Sequence, residues 1–247
     1  MTDEPVSATE KDLTVAQHLT ELRRALIIST IFFLISFIII LFLIPKVVPY
    51  LTRGYDIVLL GPQDVIRFYA GVAAALGFGL TLPVMSYQLW TFIKPALTPR
   101  ENRIALTYVP FIFISFGVGI CFGYFVVFPI LFHFLLNLGE MSFKMMVTAR
   151  QYFSFLITLT LALGLLFELP VAMVFLTSLG ILSPERLKKM RKYAMLVLAI
   201  VSAIITPPDF ISQLIVLLPL IFLYELGIVL STIRLKKKKK SMIEANQ

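Results

Sequence analysis

Charged side chains are few in this chain: Asp, Glu, Lys and Arg make up 15% of its 247 residues, and 59% are hydrophobic. Soluble domains hold about 25% charged and roughly 45–50% apolar residues, so the shortage excludes a soluble globule. With a mean hydropathy of +0.92, the chain reads as an integral membrane protein. Cysteine occurs once, at Cys121, which excludes an internal disulfide and leaves no CxxC or Cys/His metal pattern. Set inside an apolar run, Cys121 reads as a small packing residue. His18 and His133 each stand without a partner at metal-ligand spacing. No P-loop, HExxH or nucleophile–base constellation is present, so neither ATP-driven work nor covalent catalysis is expected, and no cofactor is implied. Halves that align as repeats are missing, which weighs against the commonest transporter folds. The amino terminus lacks a basic stretch and carries Asp3, Glu4, Glu10 and Asp12, with no small-residue cleavage site after the first apolar run. That run is therefore expected to stay as a membrane helix rather than leave as a signal peptide. An Arg- and Ser-rich transit segment is missing too, which favours a prokaryotic inner membrane or an organelle-encoded copy.

What is present is a series of six apolar runs, at about residues 25–44, 70–92, 108–131, 152–179, 193–205 and 211–233. The expected fold is an all-α integral membrane protein of six transmembrane helices. The fifth run offers only ~13 residues, or ~20 Å of helix against a hydrocarbon core of ~30 Å. It turns at Thr206-Pro207-Pro208-Asp209, so the last two spans read as a short hairpin that need not reach the far surface. Residues 1–24 form a tail whose first 12 residues read as irregular. Thr14 then caps an amphipathic surface helix with Val15, Leu19 and Leu22 on one face. Pro45 is read as the end of the first span, and residues 45–69 as a connection anchored by Tyr50, Tyr55 and Tyr69. Residues 132–151 form a second outer segment and residues 234–247 a basic tail.

Six spans put both termini on one side. Of the 22 Lys and Arg residues, 17 fall on that side, and Lys46, Arg53, Arg67, Lys144 and Arg150 on the other. Lys/Arg excess marks the cytoplasmic side, so both termini are expected there. The net charge of +8 is thereby explained by topology and attraction to anionic membrane lipids, and nucleic acid is not an expected partner.

The informative polar residues are carboxylates. Glu168, in Leu166-Phe167-Glu168-Leu169-Pro170, lies within the fourth run, where a charge costs at least ~2.5–3.5 kcal/mol and faces protein or a wet cavity. Pro170 removes a helical N–H and crowds the Leu166 carbonyl, which bends or opens the helix beside the acid. By itself Glu168 admits a proton-coupled small-solute transporter. Glu21, near Arg23 and Arg24, balances local charge or binds a cation; Glu101 is a first-turn acid after Thr98 or a second binding carboxylate. Asp209 is placed to cap the sixth span, and Gln213 one turn on to bond across helices. Glu225, about two turns from the basic tail, is placed to reach the interface or to pair with a nearby base. Acidic groups near the cytoplasmic face suit a cationic ligand, and arginine above all, whose planar fork bonds a carboxylate bidentately.

Five stretches together carry a family resemblance: His18-Leu19-x-Glu21-Leu22-Arg23; Tyr87-Gln88-Leu89-Trp90-x-Phe92-Ile93-x-Pro95-Ala96-Leu97 with Glu101 behind it; Tyr124-Phe125-Val126-Val127-Phe128-Pro129; Phe167-Glu168-Leu169-Pro170; and Thr206-Pro207-Pro208-Asp209 with Ser212-Gln213. In this order, across residues 14–233, the chain resembles the TatC family, the polytopic subunit of the twin-arginine protein translocase. The resemblance implies a cupped six-helix fold and a receptor for folded proteins whose signal peptides carry consecutive arginines. It implies single-span partners of the TatA type, and of the TatB type where present, a homo-oligomer, and transport driven by the proton-motive force across a bacterial plasma membrane. It implies that Glu101 is the main partner of the signal arginines, with Glu21, Arg23 and Phe92 on the same patch. Glu168 is implied on the concave face and Gln213 as a contact for a partner helix, while Pro129 and Asp209 are structural motif residues.

Overall fold

A chain that crosses lipid must satisfy its own backbone N–H and C=O groups, which leaves helix as the form open to long apolar runs. The computed structural model describes residues 8–52, 55, 57–59, 61–93, 99–140 and 146–244. Among these are α1 (Ala8–Thr52), β1 (Ile57–Val58), α2 (Pro62–Ile93), α3 (Pro99–Phe122), a π-helical turn (Gly123–Val127), α4 (Phe128–Glu140), β2 (Val147–Thr148), α5 (Ala149–Leu166), α6 (Glu168–Leu179), α7 (Pro184–Lys189), α8 (Arg191–Ile205) and α9 (Phe210–Glu244). Five stretches are long and apolar enough to span a bilayer: Thr20–Thr52, Pro62–Gln88, Pro110–Gly139, Ala149–Leu179 and Phe210–Lys237. The sixth member is α8, whose 15 residues give about 22 Å of helix. Beyond its apolar part, α9 stays helical through the basic tail to Glu244, since no Gly or Pro interrupts it there.

The reading of Pro45 as the end of the first helix is corrected: α1 continues to Thr52 with Pro45 and Pro49 inside it. Each proline removes a backbone donor, yet the last four carbonyls of α1 all have partners. Thr52 Oγ1 donates to the Pro49 carbonyl (3.1 Å), the Tyr124 hydroxyl to that of Tyr50 (2.7 Å), the Tyr152 hydroxyl to that of Leu51 (2.7 Å), and the Tyr55 N–H to that of Thr52 (3.0 Å). Unpaired carbonyls are the liability of any helix end; here two tyrosines from other spans remove it. At the other end α1 starts at Ala8, ahead of Thr14, because no Gly or Pro stands between them. α2 likewise starts early, with Pro62 at its first position and Asp64 in its first turn, both favourable there.

Two further prolines shape the middle spans. Pro129 cannot donate to the Phe125 carbonyl, and just before it the Phe128 N–H bonds the Gly123 carbonyl, a local widening to π geometry. Pro170 cannot donate to the Leu166 carbonyl. As expected, α5 stops at Leu166 and α6 restarts at Glu168. The Phe167 carbonyl at this break accepts from Ser115 Oγ of α3 at 2.5 Å.

Contacts fix how the helices run. A Cβ on Gly119 would stand 2.8 Å from the Gly164 Cα, and one on Gly123 would stand 3.0 Å from the Thr160 Cα. α3 and α5 are therefore antiparallel and touch backbone to backbone, as small residues allow in lipid. Parallel to α6 runs α9: Gly227 abuts Met173 and Pro170, and Arg234 Nε donates to Ser178 Oγ at 3.2 Å. The start of α1 and the end of α9 thus lie at one end of the molecule, called proximal below; the other is distal. α1 packs on α2, α2 on α3 and α5, α3 on α5 and α6, α6 on α9, and α9 on α8. The hairpins α1–α2 and α8–α9 stand at opposite margins of an open, cupped array. Its densest part is distal: Tyr152 is fully buried and meets Phe128, Phe132 and Phe153 edge-on, with centroids 5.1–5.2 Å apart. β1 and β2 pair in parallel, Ile57 opposite Val147 and Val58 opposite Thr148, joining two distal connections.

Candidate functional site

The acidic residues singled out from the sequence do not share one level of the array. A Cβ on Gly77 would lie 3.2 Å from the Phe37 nitrogen, which sets α1 and α2 in register there. Counting 16 residues proximally along each helix reaches Glu21 on α1 and Ile93 on α2, both about 24 Å from that crossing. Gly79 faces Phe116. From Phe116 the first turn of α3 at Glu101 is about 22 Å away, and Phe92 stands about 20 Å from Gly79. Glu21, Phe92 and Glu101 therefore share one proximal level to within about a helical turn. Glu21 and Arg23 are exposed. The side chains of Phe92 and Glu101, and residues 94–98 between their helices, lie outside the described residues. By backbone position Glu101 falls in the first turn of α3, where the helix dipole favours a carboxylate.

Further polar contacts lie between this level and the middle of the array. Ser178 Oγ bonds the Tyr108 hydroxyl at 2.8 Å and takes the Arg234 Nε–H, so one serine joins α3, α6 and α9. Nearer mid-height, since Gly227 abuts Pro170, Arg191 meets Glu225 at 2.6 Å, one of the two outcomes open to Glu225, and the Tyr224 hydroxyl donates to the Leu187 carbonyl at 2.8 Å. Gly180, with φ of 84°, ends α6 in the left-handed conformation that glycine adopts most easily. The Ser178 junction was not read from sequence, where a serine at the end of an apolar run carries no distinguishing pattern.

Glu168 is elsewhere. It starts α6 at the level of Ser115, which lies 14 residues, or about 21 Å, from Glu101 along α3. The structure does not bring these two acids together. Glu168 is half-buried, and its Oε1 is buried with no hydrogen-bond partner among the described residues. A buried carboxylate oxygen left without a partner is costly, so this is a point where an incoming polar group gains a contact.

In the α8–α9 hairpin, Asp209 Oδ1 accepts from the Ser212 N–H at 2.7 Å, the cap expected from its position. Gln213 Nε2 donates to the Ala199 carbonyl of α8 at 3.1 Å, the cross-helix bond that its position suggested. That donation leaves its amide oxygen as the group open to another helix. Asp209 Oδ2 and Ser212 Oγ are buried without partners among the described residues. Pro129 sits at the second position of α4, directly after the π turn. Of the lone thiol and imidazole groups, the His18 side chain lies outside the described residues, and His133 Nε2 bonds the Tyr55 hydroxyl at 2.9 Å. Cys121 is exposed, which corrects its reading as a packing residue; it lies off the Phe116–Gly119–Gly123 seam that meets α5.

Comparison with known proteins identifies relatives along nearly the whole chain. A family model described as Sec-independent protein translocase protein (TatC) matches residues 17–219. The Sec-independent protein translocase protein TatCd of Bacillus subtilis (strain 168) is 40% identical over 233 residues, covering 94% of this chain and 96% of that protein. The TatC protein of Halalkalibacterium halodurans is 38% identical over 237 residues, covering 94% of each. A crystal structure of the twin arginine translocase receptor TatC matches with a TM-score of 0.77 at 34% identity, covering 88% of this chain and 99% of that one.

Proposed function

Because the chain belongs to the TatC family, and is therefore a non-enzymatic membrane subunit of a twin-arginine translocase, we propose that it is the receptor and core of that translocase. Its proximal rim binds the consecutive arginines of signal peptides on folded precursors. Glu101 takes the first guanidinium and Glu21 the second, each as a bidentate, charge-assisted pair. Arg23 and Phe92 shape the same patch. The apolar part of the signal then enters the cupped face past Glu168, and the α8–α9 hairpin, through Gln213, receives a TatA-type or TatB-type single-span helix. The six spans, within residues 25–233, sit in a bacterial plasma membrane with both termini cytoplasmic, as the Lys/Arg excess at the proximal end favours. The protein works as a homo-oligomer, and the proton-motive force drives export.

One observation carries this reading: Glu21, Phe92 and Glu101 stand at a common level on three neighbouring helices, with Glu21 exposed. It is tested by copurifying a twin-arginine precursor with Glu101→Ala. Binding should fall at least about tenfold, as for losing charge-assisted hydrogen bonds worth about 1.5–3 kcal/mol. A Lys-Lys signal should bind the native protein poorly. Undiminished binding together with equal capture of the Lys-Lys signal would sink the proposal. A proton-coupled small-solute transporter is the alternative, favoured by the unpartnered buried Oε1 of Glu168. It requires solute uptake by the reconstituted lone chain that Glu168→Gln abolishes; the receptor reading requires no such uptake.

A further inference from the structure

At the distal end, away from the proximal rim, the surface between α2 and α5 opens into a cavity of about 670 Å³. None of the residues assigned above lines it. Arg67, Arg150 and Asp64 stand at its charged end, and its walls continue along Phe68, Val72 and Ile157, with Ser154 and Thr158 among them. Both arginines are exposed, and among the described residues neither is paired with a carboxylate. Two guanidinium groups against one acid leave this end net positive. The first turns of α2 and α5 begin here, at Pro62 and Ala149, and their dipoles add to the same field. From Arg67 to Ala75, and from Arg150 to Thr158, the lining runs about 12 Å along each helix. The cavity is thus a groove with a cationic end and an apolar length that points into the membrane.

We propose that this groove binds an anionic phospholipid, with its phosphodiester between Arg67 and Arg150 and one acyl chain along Phe68, Val72 and Ile157. The guanidinium fork matches phosphate oxygens bidentately. Asp64 at the same end suits the single charge of a phosphodiester and disfavours a more highly charged phosphate. The apolar walls are what select a lipid over the free anion, which has nothing to place against them. A lipid held this way bridges α2 and α5, the helices that follow the paired strands β1 and β2, and so ties the distal end from its membrane side.

The test uses the full-length protein in non-ionic detergent with phosphatidylglycerol carrying a photoactivatable acyl chain, and maps the crosslinks by mass spectrometry. Crosslinks are expected on the facing surfaces of α2 and α5, competed by unlabelled phosphatidylglycerol and not by phosphatidylcholine or inorganic phosphate. The double variant Arg67→Gln/Arg150→Gln should lower this labelling at least about tenfold, the loss expected from removing charge-assisted contacts. Lys46→Gln, a distal charge change outside the groove, should leave it unchanged. Ser154→Trp fills the groove with both arginines intact and should lower labelling as strongly, which separates occupancy of the groove from attraction to its charge; both variants should elute as the native protein does in size-exclusion chromatography. Full labelling of either groove variant overturns the proposal. So does equal competition by phosphatidylcholine, and competition by inorganic phosphate would assign the arginines to a free anion instead.

Discussion

At the distal end two tyrosine hydroxyls hold the last turn of α1 by its backbone carbonyls, whereas toward the proximal end one serine joins three helices through side chains. Tyr124 and Tyr152 close the last turn of α1, inside a cluster where Tyr152 and Phe128 are fully buried. Proximally, Ser178 joins Tyr108 and Arg234, and nearer mid-height the Arg191–Glu225 pair leaves its side chains 47% and 36% exposed. The part-buried Leu51 carbonyl loses its donor when the buried Tyr152 hydroxyl is removed, whereas an exposed ion pair exchanges with water at little cost. The contrast describes a molecule with fixed geometry at one end and accessible charge at the other. A receptor that must release what it binds has use for both.

Substitutions can break or sharpen this contrast. The largest effect is expected from Tyr152→Ala, which empties the distal cluster and frees the Leu51 carbonyl; truncating a buried aromatic costs about 3–5 kcal/mol. It would be read as a shift in denaturant-induced unfolding of the protein in micelles. Next comes Gly119→Leu, whose Cβ would stand 2.8 Å from the Gly164 Cα; overpacking of this kind costs about 1–3 kcal/mol, read in the same assay. Tyr152→Phe keeps the ring and loses one hydrogen bond, for about 0.5–1.5 kcal/mol. The smallest is Glu225→Gln, which should cost less than about 1 kcal/mol and still less at high salt. If Glu225→Gln destabilised the protein as much as Tyr152→Ala, the distinction between closed helix-end carbonyls and exposed charge would fail.

Features with a local cause were legible in the sequence. The break at Leu166–Glu168 follows from Pro170 four residues on, the cap at Asp209 from its place before an apolar run, and the shortness of α8 from a count of apolar residues. Glu225 pairs with Arg191, 34 residues away, and was legible because a membrane acid near a basic helix has few other options. What escaped has a tertiary cause. The extension of α1 past Pro45 depends on hydroxyls from Tyr124 and Tyr152, 74 and 101 residues from the carbonyls they reach. The pairing of β1 with β2 and the outward face of Cys121 depend on how spans meet. At the rim, sequence motifs named Glu21, Phe92 and Glu101, and helix registers account for their common level. Glu168, the most conspicuous acid in the sequence, lies about 21 Å from that level.

The central claim is that arginine recognition belongs to the proximal rim and that Glu168 serves only as a polar contact in the cupped face. The most direct measurement compares Glu101→Ala and Glu168→Gln side by side for binding and export of one twin-arginine precursor. Loss of both activities in Glu101→Ala, with both retained in Glu168→Gln, is the result expected. Retention in Glu101→Ala with loss in Glu168→Gln would contradict the account.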